Sequence, residues 1–219
     1  MMPNLSGLKD IMDNPEGLQR LLDMVQHDAM DAEARGETFQ ERMMRERAEW
    51  TETDDRVKEQ GNQAFHAGDF WRAYLCYTGV IDVSCHWHDA AYWLNRAAVC
   101  LKLNAYACSE DDANVAWQRK PSAKALYRRG QARRFLGRLA EAERDLSDAL
   151  RMESSNKALA DELALIQFLR TKSDEELQEW LAENKGVDRP LSGVSDEDLR
   201  ELAAKMYKEC QPPGWQMRI

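Results

Sequence analysis

The apolar positions of this chain recur at helical intervals. Leu159, Leu163, Ile166 and Leu169 fall three or four residues apart, the spacing that puts side chains on one face of an α-helix. Leu18, Leu21, Leu22 and Val25 form a similar stripe after Asn14-Pro15, which reads as a helix start because proline is tolerated in the first turn. Gly36 interrupts, and a charged segment runs on through Trp50. Ser173-Asp-Glu-Glu176 has the form of a capping box and opens a helix with Leu177, Trp180 and Leu181. Ser195 starts another, with Leu199, Leu202 and Met206. The tail from Gln211 to Trp215 carries no helical pattern, and no stretch keeps the two-residue alternation of a strand for a useful length. The pattern predicts an all-α chain.

Between these flanks the pattern repeats. A small residue sits in a first helix, a turn follows about seven residues later, and a second helix again carries small residues. The first window has Gly61, Gly68 and Ala73; the second has Ala97, a turn at Asn104 and Tyr106, then Ser109 and Ala116; the third has Gly130, Gly137, Ala142 and Ala149. The anchors Gly61, Ala97 and Gly130 are 36 and 33 residues apart, the first interval lengthened by extra residues around Cys85 to His88. Pro121 stands where the second unit must stop. Gly or Ala at a crossing lets two antiparallel helices approach, while Phe65, Tyr77, Leu101, Tyr127, Phe135, Leu146 and Leu150 fill the space between. One such hairpin leaves an apolar face open; three stacked hairpins and a terminal cap close it. The stripe from Ala158 to Arg170 supplies that cap.

With its ~34-residue period, this arrangement resembles the tetratricopeptide repeat family over roughly residues 54–170. The resemblance implies three helix-turn-helix repeats in a right-handed superhelix, a concave groove lined by the first helix of each repeat, and a capping helix. Residues 1–53 and 171–219 would then be helical extensions at the two ends.

Composition narrows the function. The 219 residues include 39 acidic and 30 basic side chains, a net charge of -9, which disfavours nucleic acid and anionic membrane surfaces as partners. No apolar run approaches the ~18 residues of a membrane span, and the first residues lack a basic-then-apolar leader pattern. Five cysteines in no disulfide-like spacing predict reduced thiols in the cytoplasm, with the nucleus also open. Cys76, Cys100 and Cys108 are expected to pack as small apolar residues. Cys85, His86 and His88 lie close together but lack a fourth ligand, so a metal site is not expected there. No phosphate-binding loop, nucleophile elbow or paired-carboxylate site appears, so neither an enzyme nor a cofactor is expected.

The groove face carries the candidate chemistry. Lys58 and Asn62 share a helix face four residues apart, as do Lys124 and Arg128. Asn95 precedes Ala97 by the same two residues by which Arg128 precedes Gly130. Lys58-Glu-Gln-Gly-Asn62, Asn95-Arg96-Ala97-Ala98 and Lys124-Ala-Leu-Tyr-Arg128 resemble the carboxylate clamp of chaperone-adaptor tetratricopeptide domains. That resemblance implies a co-chaperone or adaptor binding the C-terminal Glu-Glu-Val-Asp of cytosolic heat-shock protein 90 or heat-shock protein 70, with the extensions free for a client or second factor. A terminal Asp offers two carboxylates that need several donors when they leave water. Lys supplies a compact charge, Asn uncharged donors and Arg a planar fork. Phe65 and Ala98, each three residues after a groove asparagine, would border a pocket for the peptide's Val. A scaffold for another acidic or internal peptide is the main alternative. An RNA-binding reading rests only on the acid-free basic run from Arg119 to Arg138, whose plainer reading is a solvated charged face.

Overall fold

A computed structural model describes residues 34–83, 89–184 and 195–210, together with Gln19, Gln26 and Met30. The predicted helix after Asn14-Pro15, the Cys85–His88 segment and the tail from Gln211 lie outside the described residues. The chain divides into two compact units, residues 1–51 with 213–219, and residues 52–212.

Among the described residues the regular structure is helical: α1 (Phe39–His66), α2 (Phe70–Val83), α3 (Ala90–Lys102), α4 (Tyr106–Arg119), α5 (Ala123–Phe135), α6 (Leu139–Met152), α7 (Lys157–Leu169), α8 (Asp174–Asn184) and α9 (Asp196–Glu209). In the first unit, Thr38 and Glu41 cap each other reciprocally at the start of α1, and Arg45 bridges Glu37 and Glu49.

In the second unit the three hairpins end their first helices in one way. Gly68, Asn104 and Gly137 all take positive φ, at 79°, 61° and 77°. In each, two backbone bonds reach back to carbonyls of the last turn: Gly68 to Phe65 and Asp69 to Ala64, Asn104 to Leu101 and Ala105 to Cys100, Gly137 to Arg134 and Arg138 to Arg133. This double bond closes a helix only through a left-handed residue, so the position takes Gly or, at 104, the tolerant Asn. Ser122, Asn156 and Ser195 cap α5, α7 and α9 through their side chains. Ser173 and Glu176 form the expected reciprocal box before α8.

The small residues sit where helices meet. A Cβ on Gly61 would lie 2.9 Å from the Tyr77 ring, and one on Gly130 would lie 3.0 Å from Leu146. Ala97 is fully buried, and its carbonyl accepts a hydrogen bond from Ser109 Oγ at 2.9 Å. Leu159, Ile166 and Leu169 of α7 join the core of the third hairpin with Leu126, Leu139, Ala142 and Leu146, and Leu163 packs beside them. The cap is therefore where the periodicity put it. Leu177 and Trp180 of α8 pack against the same core. The last helix, α9, lies on α2: a Cβ on Gly79 would meet the Ala203 carbonyl at 2.9 Å, and Tyr207 Oη donates to Asp54 Oδ1 at 2.5 Å.

Three expectations need correction. Cys76 and Cys100 are buried, but Cys108 points outward from α4. Leu202, in the expected apolar stripe of α9, is 44% exposed, whereas Leu199, Ala203 and Tyr207 carry the packing. The basic run is not a uniformly solvated face. Arg129 forks onto Asp145 at 2.9 and 2.6 Å, Arg133 reaches Glu110 and Asp145, and Arg134 pairs with Glu162, all largely out of water. Arg96 and Asp112 form the equivalent fork one repeat earlier, at 2.9 and 2.8 Å. Each acid lies in a neighbouring helix, beyond the window in which the run looked unopposed.

Candidate functional site

The first helices of the hairpins, α1, α3 and α5, carry every residue expected in the groove. Gly61 leaves room for the Tyr77 ring, which rises from α2 and is 2% exposed. Its hydroxyl donates to Asn62 Oδ1 at 2.8 Å, and the Asn95 side chain hydrogen-bonds the same phenol. Burial pushes the Tyr77 pKa up to about 12, so the hydroxyl keeps its proton at neutral pH. Asn62 and Asn95, from different repeats, thus meet on one buried oxygen.

Arg128 stands near that tyrosine. Its side chain is half-buried, and its Nη1 is fully enclosed with no hydrogen-bond partner among the described residues. Burial lowers the guanidinium pKa to about 10, with Tyr77 and Tyr127 acting in the opposite sense. The group remains a cation at neutral pH, insufficiently compensated by its surroundings. Lys124, one turn earlier, is exposed; burial of its approach and then repulsion from Arg128 lower its pKa. Two cations and an enclosed donor without an acceptor make a site for anionic oxygen.

Lys58 lies farther along α1. Its Nζ is 2.8 Å from Asp55 Oδ1 and 5.8 Å from the centre of the Tyr92 ring. The Asp55 carboxylate is well exposed, so this pair holds the lysine only weakly against a competing anion.

Phe65, Ala98 and Arg128 share a cavity of about 450 Å³, walled also by Tyr127 and Phe135 and rimmed by Asn104 and Asn184. The two apolar residues expected to border a pocket are therefore brought together with the arginine. Lys58, Asn62, Asn95 and Lys124 do not line this cavity. Lys124 instead borders a smaller one of about 210 Å³, beside Glu153 and Asn156.

Sequence reasoning missed two contributors. Tyr77 was expected only to fill space; a phenol one residue beyond a buried Cys on the facing helix gave no polar signal. Asn184 comes from α8, outside the repeats. Trp180 stacks on Phe135 with ring centres 6.4 Å apart, Phe135 stacks on Tyr106 at 4.4 Å, and this column brings the end of α8 to the cavity rim. Nothing in the local sequence links position 184 to position 65.

No family model matches the sequence. Among solved structures, the second tetratricopeptide domain of human RPAP3, in complex with the HSP70 peptide SGPTIEEVD, is 36% identical over 54% of this chain and 98% of that domain, with a TM-score of 0.51. The first such domain of Spaghetti (RPAP3), bound to the HSP90 peptide SRMEEVD, is 32% identical over 55% of this chain and 95% of that one, with a TM-score of 0.52. Curated relatives include RNA polymerase II-associated protein 3 of Xenopus tropicalis, 29% identical over 69% of this chain, and heat shock protein STI1 of Saccharomyces cerevisiae, 36% identical over 58%. The matched region spans about a fifth of those relatives' length, 22% and 21%.

Proposed function

We propose, from the premise that this chain belongs to the tetratricopeptide repeat family, that it is a non-enzymatic co-chaperone or adaptor for the C-terminal Glu-Glu-Val-Asp tail of heat-shock protein 90 or heat-shock protein 70. The observation that carries the reading is the enclosed, unpartnered Nη1 of Arg128 beside the Phe65–Ala98 cavity. Such a nitrogen is held at a free-energy cost that an incoming oxygen anion relieves. The two similar domains hold chaperone peptides, and both peptides end in Glu-Glu-Val-Asp.

In this reading Lys58, Asn62 and Asn95 hold the terminal Asp, whose chain end and side chain each bring a carboxylate. Lys124 and Arg128 take the acidic oxygens and carbonyls further up the peptide, the arginine through its planar fork. Phe65 and Ala98 receive the Val. The asparagines add donors without the mutual repulsion that more cations would bring. No helix among the described residues is long and apolar enough to cross a membrane, and a cytoplasmic setting fits the proposed partners. The pairing of Arg129, Arg133 and Arg134 with acids removes much of the charge on which RNA binding would depend.

Calorimetric titration with a peptide ending in Glu-Glu-Val-Asp tests the reading against the same peptide amidated at its C-terminus. The free acid should bind, and amidation should remove most of the affinity, because losing one partner of a desolvated charge pair typically costs ~2–5 kcal/mol. Equal affinities would sink the clamp.

A further inference from the structure

The buried phenol of Tyr77 makes only two of the polar contacts described above, and both are to groove asparagines. The geometry points to Tyr77 as a positioning residue for ligand binding: its hydroxyl fixes the orientation of the Asn62 and Asn95 side-chain amides, and so which of their atoms face an incoming carboxylate. This inference rests on the functional reading above and adds to it a residue that never touches the ligand.

An asparagine amide turns easily, and its oxygen and nitrogen make opposite demands on a partner. Only the nitrogen attracts a carboxylate; the oxygen repels it. The Tyr77 hydroxyl donates to the oxygen end of Asn62, at 2.8 Å. That contact turns the Asn62 nitrogen away from the core. There its only hydrogen bond among the described residues is a long one of 3.5 Å to the Glu59 carboxylate, which a ligand would readily displace. On the other side, the Asn95 side chain interacts with the same phenol and lowers its pKa. One hydroxyl therefore donates to an amide of the first repeat and meets an amide of the second, and links the two repeats at the site.

The arrangement depends on glycine at 61. A Cβ there would press on the Tyr77 ring at 2.9 Å, on the same turn that carries Asn62. A residue at 61 that keeps the crossing close thus also seats the phenol that aims the next side chain. With the hydroxyl buried and its pKa near 12, the donor proton is present throughout the neutral range.

Tyr77→Phe keeps the ring against Gly61 and removes only the hydroxyl. Affinity for the HSP70 peptide should fall by about two- to twelvefold, the equivalent of the ~0.5–1.5 kcal/mol a single hydrogen bond contributes. The decisive measurement is a double-mutant cycle by calorimetry. In an Asn62→Ala background, Tyr77→Phe should lose most of its effect on affinity, because the amide it aims is gone and only Asn95 remains. A purely structural tyrosine would weaken binding by the same factor in both backgrounds, or not at all, and either result overturns the inference. If the unaltered chain fails to bind the peptide, the functional reading falls and takes this one with it. If it binds, and binds equally well as Tyr77→Phe, only the positioning role falls. Should the variant not fold, nuclear magnetic resonance on the unaltered chain decides: the Tyr77 hydroxyl proton should be protected from exchange, with cross-peaks to both side-chain amides. A freely exchanging hydroxyl would rule the role out.

Discussion

Replacing Arg128 with Met should strengthen the fold and abolish ligand binding, two effects of opposite sign from one side chain. Burial lowers the guanidinium pKa from 12.5 to about 10, which corresponds to about 3 kcal/mol of unfavourable burial. A base whose folded pKa lies below its unfolded value destabilises the native state wherever it is charged. Here that covers all pH below about 10, so an experiment at neutral pH reads the whole effect. Water in the open groove screens part of it, and Arg128 lines its cavity together with the apolar Phe65 and Tyr127, surroundings that suit a Met of similar length. A net gain of ~1 kcal/mol in unfolding free energy is the expectation. The peptide loses the fork, at ~2–5 kcal/mol, or at least about 30-fold in affinity. Denaturant unfolding and calorimetry on the same preparation measure both. A variant less stable than the parent would mean that the enclosed nitrogen does have a partner in the free protein. Retained binding would mean that the ligand does not reach it.

Leu159→Ala should cost ~2–5 kcal/mol by opening a cavity between α7 and the third hairpin, and should weaken peptide binding through fraying of α5; denaturant unfolding beside titration checks both. Gly79→Ala should lever α9 off α2, because the new Cβ would meet a backbone oxygen and not a yielding side chain. A loss of ~1–3 kcal/mol is expected, with faster amide exchange over residues 196–209, and unchanged exchange there would refute it. Alkylation at pH 8, followed by peptide mass spectrometry, should modify Cys108 well before Cys76 or Cys100. Burial pushes the Cys76 thiol up to about 11 and raises that of Cys100 well above its ordinary value, which suppresses the reactive thiolate in addition to shielding it. Comparable rates at the three would contradict the packing described here.

What the sequence determined by itself is the part of this protein whose physics is local and periodic. The anchors Gly61, Ala97 and Gly130, the left-handed turns at Gly68, Asn104 and Gly137, and the α7 stripe recur at intervals that a linear chain displays openly. Helix ends were legible for the same reason, since a cap such as Ser173 with Glu176 is made within four residues. The tertiary structure alone decided which charges are compensated and which are left over. Arg129 and Arg128 are neighbours of the same type in the same helix, yet one forks onto Asp145 from α6 and the other keeps an enclosed nitrogen unpaired. Nor does any local pattern bring Tyr77 under Asn62 and Asn95, or the end of α8 to the rim of a cavity begun in α1. Hydrophobic periodicity reports which face of a helix is turned inward. The partner of a polar atom depends on residues that approach from 12 to 153 positions away, and only the folded chain sets those distances.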